Sequence, residues 1–259
     1  MSDQSEIWAR LAGLTPARIG LGRAGSGQTT RSVLRFGLAH AQARDAVHMP
    51  MDARALRVEI EALGLATLPA ASQAGDRAAY LRRPDLGRRL APDDRGRLAA
   101  SAGEACDLAL VVADGLSARA VHENAVPLLE AFLPHAERAG WRLAPVVVAS
   151  QARVALGDAV GEALRARAVA VLVGERPGLS SPDSLGIYLT LDPRAGRTDA
   201  ERNCISNVRP AGLTPDKAAF KLGWLLSQAL ARGLTGVRLK DESDRVLAEN
   251  PAVPQLPED

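Results

Sequence analysis

Aromatic side chains are scarce in this chain: three Trp, two Tyr and three Phe make up 3% of its 259 residues. Base-stacking platforms for single-stranded nucleic acid need such rings, so that mode of binding is excluded. The core has to be built from Ala, Val and Leu, with little buried area per side chain. A chain packed through small side chains is expected to lean on a partner for part of its stability. Lysine is also rare, with only Lys217, Lys221 and Lys240 among 32 basic residues. Arginine supplies the rest, scattered rather than clustered. Against 30 acidic residues this leaves a net charge of +2, which carries no nucleic-acid footprint. The arginine bias fits GC-rich codon usage. The functional alternative is forked contacts from some of these residues to carboxylates or phosphates across an interface. The two cysteines, Cys106 and Cys204, lie far apart and read as reduced thiols of a cytosolic protein, not as a disulfide framework. No apolar run approaches the roughly 20 residues of a membrane-spanning helix. The opening Met1-Ser2-Asp3-Gln4-Ser5-Glu6 is polar and acidic, unlike a secretory signal.

What is present divides in two. Length alone suggests two domains of about 100–150 residues. Residues 1–100 read as a helical N-terminal domain. Thr29 or Thr30 caps a helix over about 32–47, and Asp52 caps a second that stops at Gly64. Residues 65–91 read as irregular, and Pro92-Asp93-Asp94 starts a further helix. Residues 101–259 change pattern. Short apolar runs at 107–113, 145–149 and 168–173, with a candidate fourth at 185–191, alternate with helical stretches at 117–138, 154–165 and 215–232. Strands buried on both faces and alternating with helices give an α/β class: a Rossmann-like, three-layer α/β/α domain with a mostly parallel sheet. The Pro-rich tail, 250–259, is expected to be mobile.

Several stretches could carry chemistry. Gly22-Arg23-Ala24-Gly25-Ser26-Gly27 precedes a helix but fits no phosphate-loop spacing, so it reads as a flexible connector. Gly115-Leu116-Ser117-Ala118-Arg119 follows a buried strand, where open α/β sheets bind ligands. Arg119 stands where a hydrolase elbow needs its second glycine, so Ser117 reads as a helix cap rather than a nucleophile. His40, His48, His122 and His135 form no metal signature. Gly174-Glu175-Arg176-Pro177-Gly178-Leu179 is the most informative stretch, since it places a Glu-Arg pair among glycines at a strand's carboxyl end. In Arg202-Asn203-Cys204-Ile205-Ser206-Asn207, polar residues flank a thiol; composition favours a small buried hydrophobe at Cys204.

Five segments together resemble one family: residues 30–47 (TRSVLRFGLAHAQARDAV), 80–90 (YLRRPDLGRRL), 110–121 (LVVADGLSARAV), 169–179 (VAVLVGERPGL) and 203–208 (NCISNV). They are similar, in order and across nearly the whole chain, to the small (light) subunit of ethanolamine ammonia-lyase. The resemblance implies a large-subunit partner, a (β/α)8 barrel holding ethanolamine and the catalytic side chains, with no catalytic side chain on this chain. It implies adenosylcobalamin held between the two chains, with Val154, Glu175 and Cys204 contacting it here. The reaction so implied is radical deamination of ethanolamine to acetaldehyde and ammonia. No Asp-x-His-x-x-Gly occurs, so no histidine of this chain is expected to ligate cobalt. The first shared motif begins at Thr30, without the long extension of enteric relatives. Cytoplasm is therefore expected at least as much as a bacterial microcompartment. Two other readings stand beside this one: a stand-alone nucleotide-binding α/β enzyme, and an assembly subunit that does not touch the cofactor.

Overall fold

The computed structural model describes residues 3–15 and 17–249; the tail expected to be mobile lies outside them. Helix α1 (Asp3–Ala12) leads into a two-strand hairpin, β1 (Arg23–Ala24) and β2 (Gly27–Gln28). The glycine-rich stretch read as a connector is this hairpin, turned at Gly25, whose φ of 62° suits a residue without Cβ. Then come α2 (Thr30–His48) and α3 (Ala53–Ala62), capped as expected by the side chains of Thr29 and Asp52.

Residues 65–91 are not irregular. They hold β3 (Thr67–Ala71), α4 (Arg77–Arg82) and α5 (Pro84–Gly87). After α6 (Pro92–Ala100) the chain alternates: β4 (Cys106–Ala113), α7 (Ala118–Arg138), β5 (Val146–Ser150), α8 (Leu156–Ala163) and β6 (Ala166–Gly174). Two strands follow directly, β7 (Leu185–Leu191) and β8 (Asn203–Val208), then α9 (Pro215–Arg232) and α10 (Ser243–Glu249). The fold is α/β around a six-stranded sheet of order β3-β5-β4-β6-β7-β8. The strands from β3 to β6 are parallel, while β7 and β8 run antiparallel to their neighbours. The expected division near residue 100 falls between α6 and β4, and the sheet draws β3 from the residues before it.

Alternation along β4 explains the layering. Leu108, Leu110 and Val112 enter one buried cluster with Leu56 of α3, Phe132 of α7 and Leu222 of α9. Ala109, Val111 and Ala113 enter the opposite cluster with Leu98 of α6 and Leu156 and Val160 of α8. A strand covered on both faces has no use for polar residues, hence its unbroken apolar run. Helices α1 and α2 belong to neither cluster. Helix α2 buries only Ala39 and Ala46, and leaves Val33, Leu34, Phe36 and Leu38 about half exposed or more. Among the described residues no helix is long and apolar enough to cross a membrane.

Candidate ligand cavity at the carboxyl edge of the sheet

A cavity of about 420 Å³ opens where β4, β5 and β6 end. Its walls come from Gly115 and Leu116 after β4, Arg153 and Val154 after β5, and Gly174, Glu175 and Arg176 at the end of β6; Tyr80 and Tyr188 complete it. This is the edge at which open α/β sheets receive ligands. A larger hollow of about 1130 Å³ lies between α1 and the start of α2, where no acidic side chain among the described residues lines it.

Asp114 organises the edge. Its buried carboxylate accepts the backbone N–H of Gln151 (2.9 Å) and of Ala152 (3.0 Å), and pairs with Arg77 at 3.5 Å. Burial pushes its carboxyl up, while these donors pull it back. The two amides hold the β5–α8 loop in place, with Gln151 at φ 53°, an uncommon angle for a residue carrying a side chain. Arg77 also donates to Gly115 O (2.8 Å) and Val47 O (2.7 Å), tying α2's end to the loop after β4. Tyr80 donates to Ala152 O at 3.2 Å, and the guanidinium carbons of Arg77 and Arg153 lie 4.8 and 4.7 Å from its ring centroid. Its burial raises the phenol to about 12, so it stays a neutral donor.

The Gly115 and Gly174 backbones pack directly together. A Cβ on Gly115, which has φ 55°, would stand 2.2 Å from Gly174 O. Leu116 N–H donates to that carbonyl at 2.8 Å. The hydroxyl of Ser117, the α7 cap, accepts from Ala120 N–H and donates to Pro182 O (2.8 Å). The loop after β4 thus runs against the end of β6 with no room for a side chain at Gly115.

Val154 and Glu175 come together on this cavity, although 21 positions separate them. Val154 sits in the turn before α8, not within the helix expected from residue 154. The Glu175 carboxylate accepts from the hydroxyls of Ser184 and Ser206, both at 2.5 Å, and from Asn207 N–H at 3.3 Å. Asn207 reaches this position with φ 62°, which Asn tolerates. Glu175 is thereby bolted to β8.

Cys204 does not line the cavity, and it is not buried as composition suggested: it is exposed, inside strand β8. Strand β8 is the sheet edge. Its Ile205 and Val208 face the core, so Cys204 and Ser206 face the other way. Cys204 pairs with cavity residue Tyr188, so both side chains share one face. Partial burial and the nearby Glu175 charge push the thiol up. Iodoacetamide is therefore expected to label Cys204 before the buried Cys106, slowly at neutral pH. Its rate should rise to half its maximum only above the ordinary thiol midpoint of about 8.5. A half-maximal rate at or below that pH would contradict the assignment; mass spectrometry of labelled peptides reads it out.

The histidines are placed separately: His122 Nε2 accepts from Asp52 N–H, and His135 stacks edge-on against Phe220. Tyr80, Arg153, Tyr188, Ser184 and Ser206 were not singled out from sequence. Tyr80 and Ser206 lie inside the segments that carry the family resemblance, but only the fold gives them their neighbours.

Comparison with known proteins decides the family: the model described as ethanolamine ammonia-lyase light chain matches residues 5–240. The chain belongs to that family. A protein of Xanthomonas campestris pv. campestris named ethanolamine ammonia-lyase small subunit is 57% identical over 246 residues, covering 93% of this chain and 90% of that one. Relatives of the same name from Azotobacter vinelandii and Pseudomonas aeruginosa are 54% and 53% identical, covering 94% and 92% of this chain and 93% and 88% of their own. The light-chain family thus accounts for the α1–α2 region and the α/β sheet together, with the cavity inside the matched span.

Proposed function

We propose that this chain is the small subunit of an adenosylcobalamin-dependent ethanolamine ammonia-lyase, and that its sheet edge forms one wall of the corrin pocket. The observation that carries this reading is the convergence of Val154 and Glu175 on one cavity, with Cys204 beside it through Tyr188. A corrin presents an apolar ring edge and a fringe of amides that need both donors and acceptors. The cavity supplies an apolar Val154, carboxylate oxygens on Glu175, and Arg153, whose buried Nε has no acceptor among the described residues. The residues present fit the group.

When bound, the cofactor supplies the adenosyl radical that starts hydrogen abstraction from ethanolamine. This chain's own work is to hold and enclose. Glu175, fixed by three donors, offers a rigid acceptor, and pre-ordered acceptors lose little freedom on binding. Val154 keeps one wall dry, and the Cys204 thiol stays protonated, a weak donor at the rim. The exposed apolar face of α2 supports docking on a large subunit that carries the catalytic side chains. A cytoplasmic location belongs to the same proposal. The nucleotide-enzyme alternative is disfavoured because Ala113-Asp114-Gly115-Leu116-Ser117-Ala118, after β4, lacks a phosphate-loop spacing.

The test is co-expression with a large subunit. The expected result is a stable complex that takes up cobalamin, read by its visible absorption, and releases ammonia from ethanolamine. An assembled complex that binds no cobalamin overturns the corrin-wall reading. Cobalamin uptake unaffected by changing Glu175 and Cys204 together favours the assembly-only reading.

A further inference from the structure

Arg153 is the cavity-wall residue that keeps a buried side-chain donor unpaired among the described residues. Its backbone N–H donates to Gly87 O at 2.8 Å, which fixes where its side chain starts. Its guanidinium carbon lies 4.7 Å from the Tyr80 ring centroid, and Gly87 leaves room for the stem: a Cβ there would stand 3.2 Å from Arg153 Cγ. Tyr80 is itself pinned by its bond to Ala152 O. A long, flexible side chain is thus held in one place before any ligand arrives. Yet among the described residues its buried Nε finds no acceptor and its guanidinium no ion-pair partner. Glu175, the carboxylate on the same cavity, is held by Ser184, Ser206 and Asn207 and makes no ion pair with Arg153. An unsatisfied buried donor costs about 1–3 kcal/mol, and one on a ligand cavity is relieved by an acceptor on the ligand.

We propose that Arg153 is a cofactor-binding residue whose guanidinium donates to an oxygen acceptor of the corrinoid, an amide carbonyl or the phosphate of its nucleotide arm. This inference rests on the corrin-wall reading above. Arginine suits the task because its planar fork engages oxygen acceptors with fixed geometry and cannot lose its charge.

The experiment uses the purified two-chain complex and equilibrium absorption titration with cyanocobalamin, which binds without turnover, and with cobinamide, which lacks the phosphate-bearing arm. R153M is expected to weaken cyanocobalamin binding about tenfold, leaving the melting temperature and assembly unchanged. R153K keeps the charge but loses Nε, and is expected to weaken binding at least about threefold. An equal loss with cobinamide assigns the acceptor to a corrin amide; a loss confined to cyanocobalamin assigns it to the phosphate arm. Wild-type affinity in both variants overturns the inference while leaving the corrin-wall reading standing. Failure of the wild-type complex to bind either corrinoid overturns both. If R153M does not assemble, R153K alone decides.

Discussion

Gly174→Ala is expected to destabilise the native fold severely. A Cβ at this position would lie 2.1 Å from Ser117 O, 2.6 Å from Asp114 O and 2.7 Å from Ser117 C. All three are backbone atoms, so no rotamer change relieves the clash. Either β6 or the loop between β4 and α7 must move, and that loop carries Asp114 with its amide partners from Gln151 and Ala152. Forced overpacking of this kind costs about 3 kcal/mol or more. For a chain of this size that lowers the melting temperature by roughly 6–12 °C. The control is Gly96→Ala in α6, where a Cβ meets nothing within 4 Å. It is expected to stabilise by about 0.5–1 kcal/mol through helix propensity. Thermal unfolding followed by circular dichroism separates the two. A Gly174→Ala protein melting within about 2 °C of wild type, an energy difference below about 1 kcal/mol, would show that the loops are not packed as described.

Glu175→Ala is expected to weaken cobalamin binding by the two-chain complex roughly thirtyfold or more, about 2 kcal/mol, as a lost charge-assisted acceptor. Part of this loss is indirect. The hydroxyls of Ser184 and Ser206 and the amide of Asn207 lose their common acceptor, and β8 loses its tie to the end of β6. Glu175→Gln separates the two effects. It keeps the shape and one oxygen but turns an NH2 group toward a hydroxyl that needs an acceptor, so intermediate affinity with near-native melting is expected. Space for Glu175 depends on Gly186, where a Cβ would stand 3.0 Å from its Oε1. Full cobalamin affinity in the Ala variant would remove Glu175 from the corrin wall. Absorption titration gives the affinity and calorimetry the stability.

The fold was most legible where one physical signal dominated. Caps at Thr29 and Asp52 and a glycine with φ 69° at Gly233 bound helices α2, α3 and α9 near their expected limits. Doubly buried β4 and β6 announced themselves as apolar runs. Strand β3 was hidden by Pro69, which a strand paired only through β5 can accommodate. Strand β8 was hidden because it is half exposed and rich in polar residues, reading as a loop. The expected burial of Cys204 came instead from the general preference of a free thiol for the interior. The cavity was legible only as separate strand ends. Its assembly depends on the parallel order of β5, β4 and β6, which brings residues 80, 115, 154 and 175 together and which local pattern does not encode.

The apolar face of α1 and α2 bears on the life of the chain in the cell. Trp8, Leu34 and Phe36 are 44%, 67% and 48% exposed, on helices that belong to neither buried cluster. A copy synthesised without the proposed partner would carry that greasy surface into a crowded cell, where chaperones hold such surfaces and proteases remove their owners. The abundance of this chain would then track the supply of its partner more closely than its own rate of synthesis, with any surplus ending as aggregate or peptide.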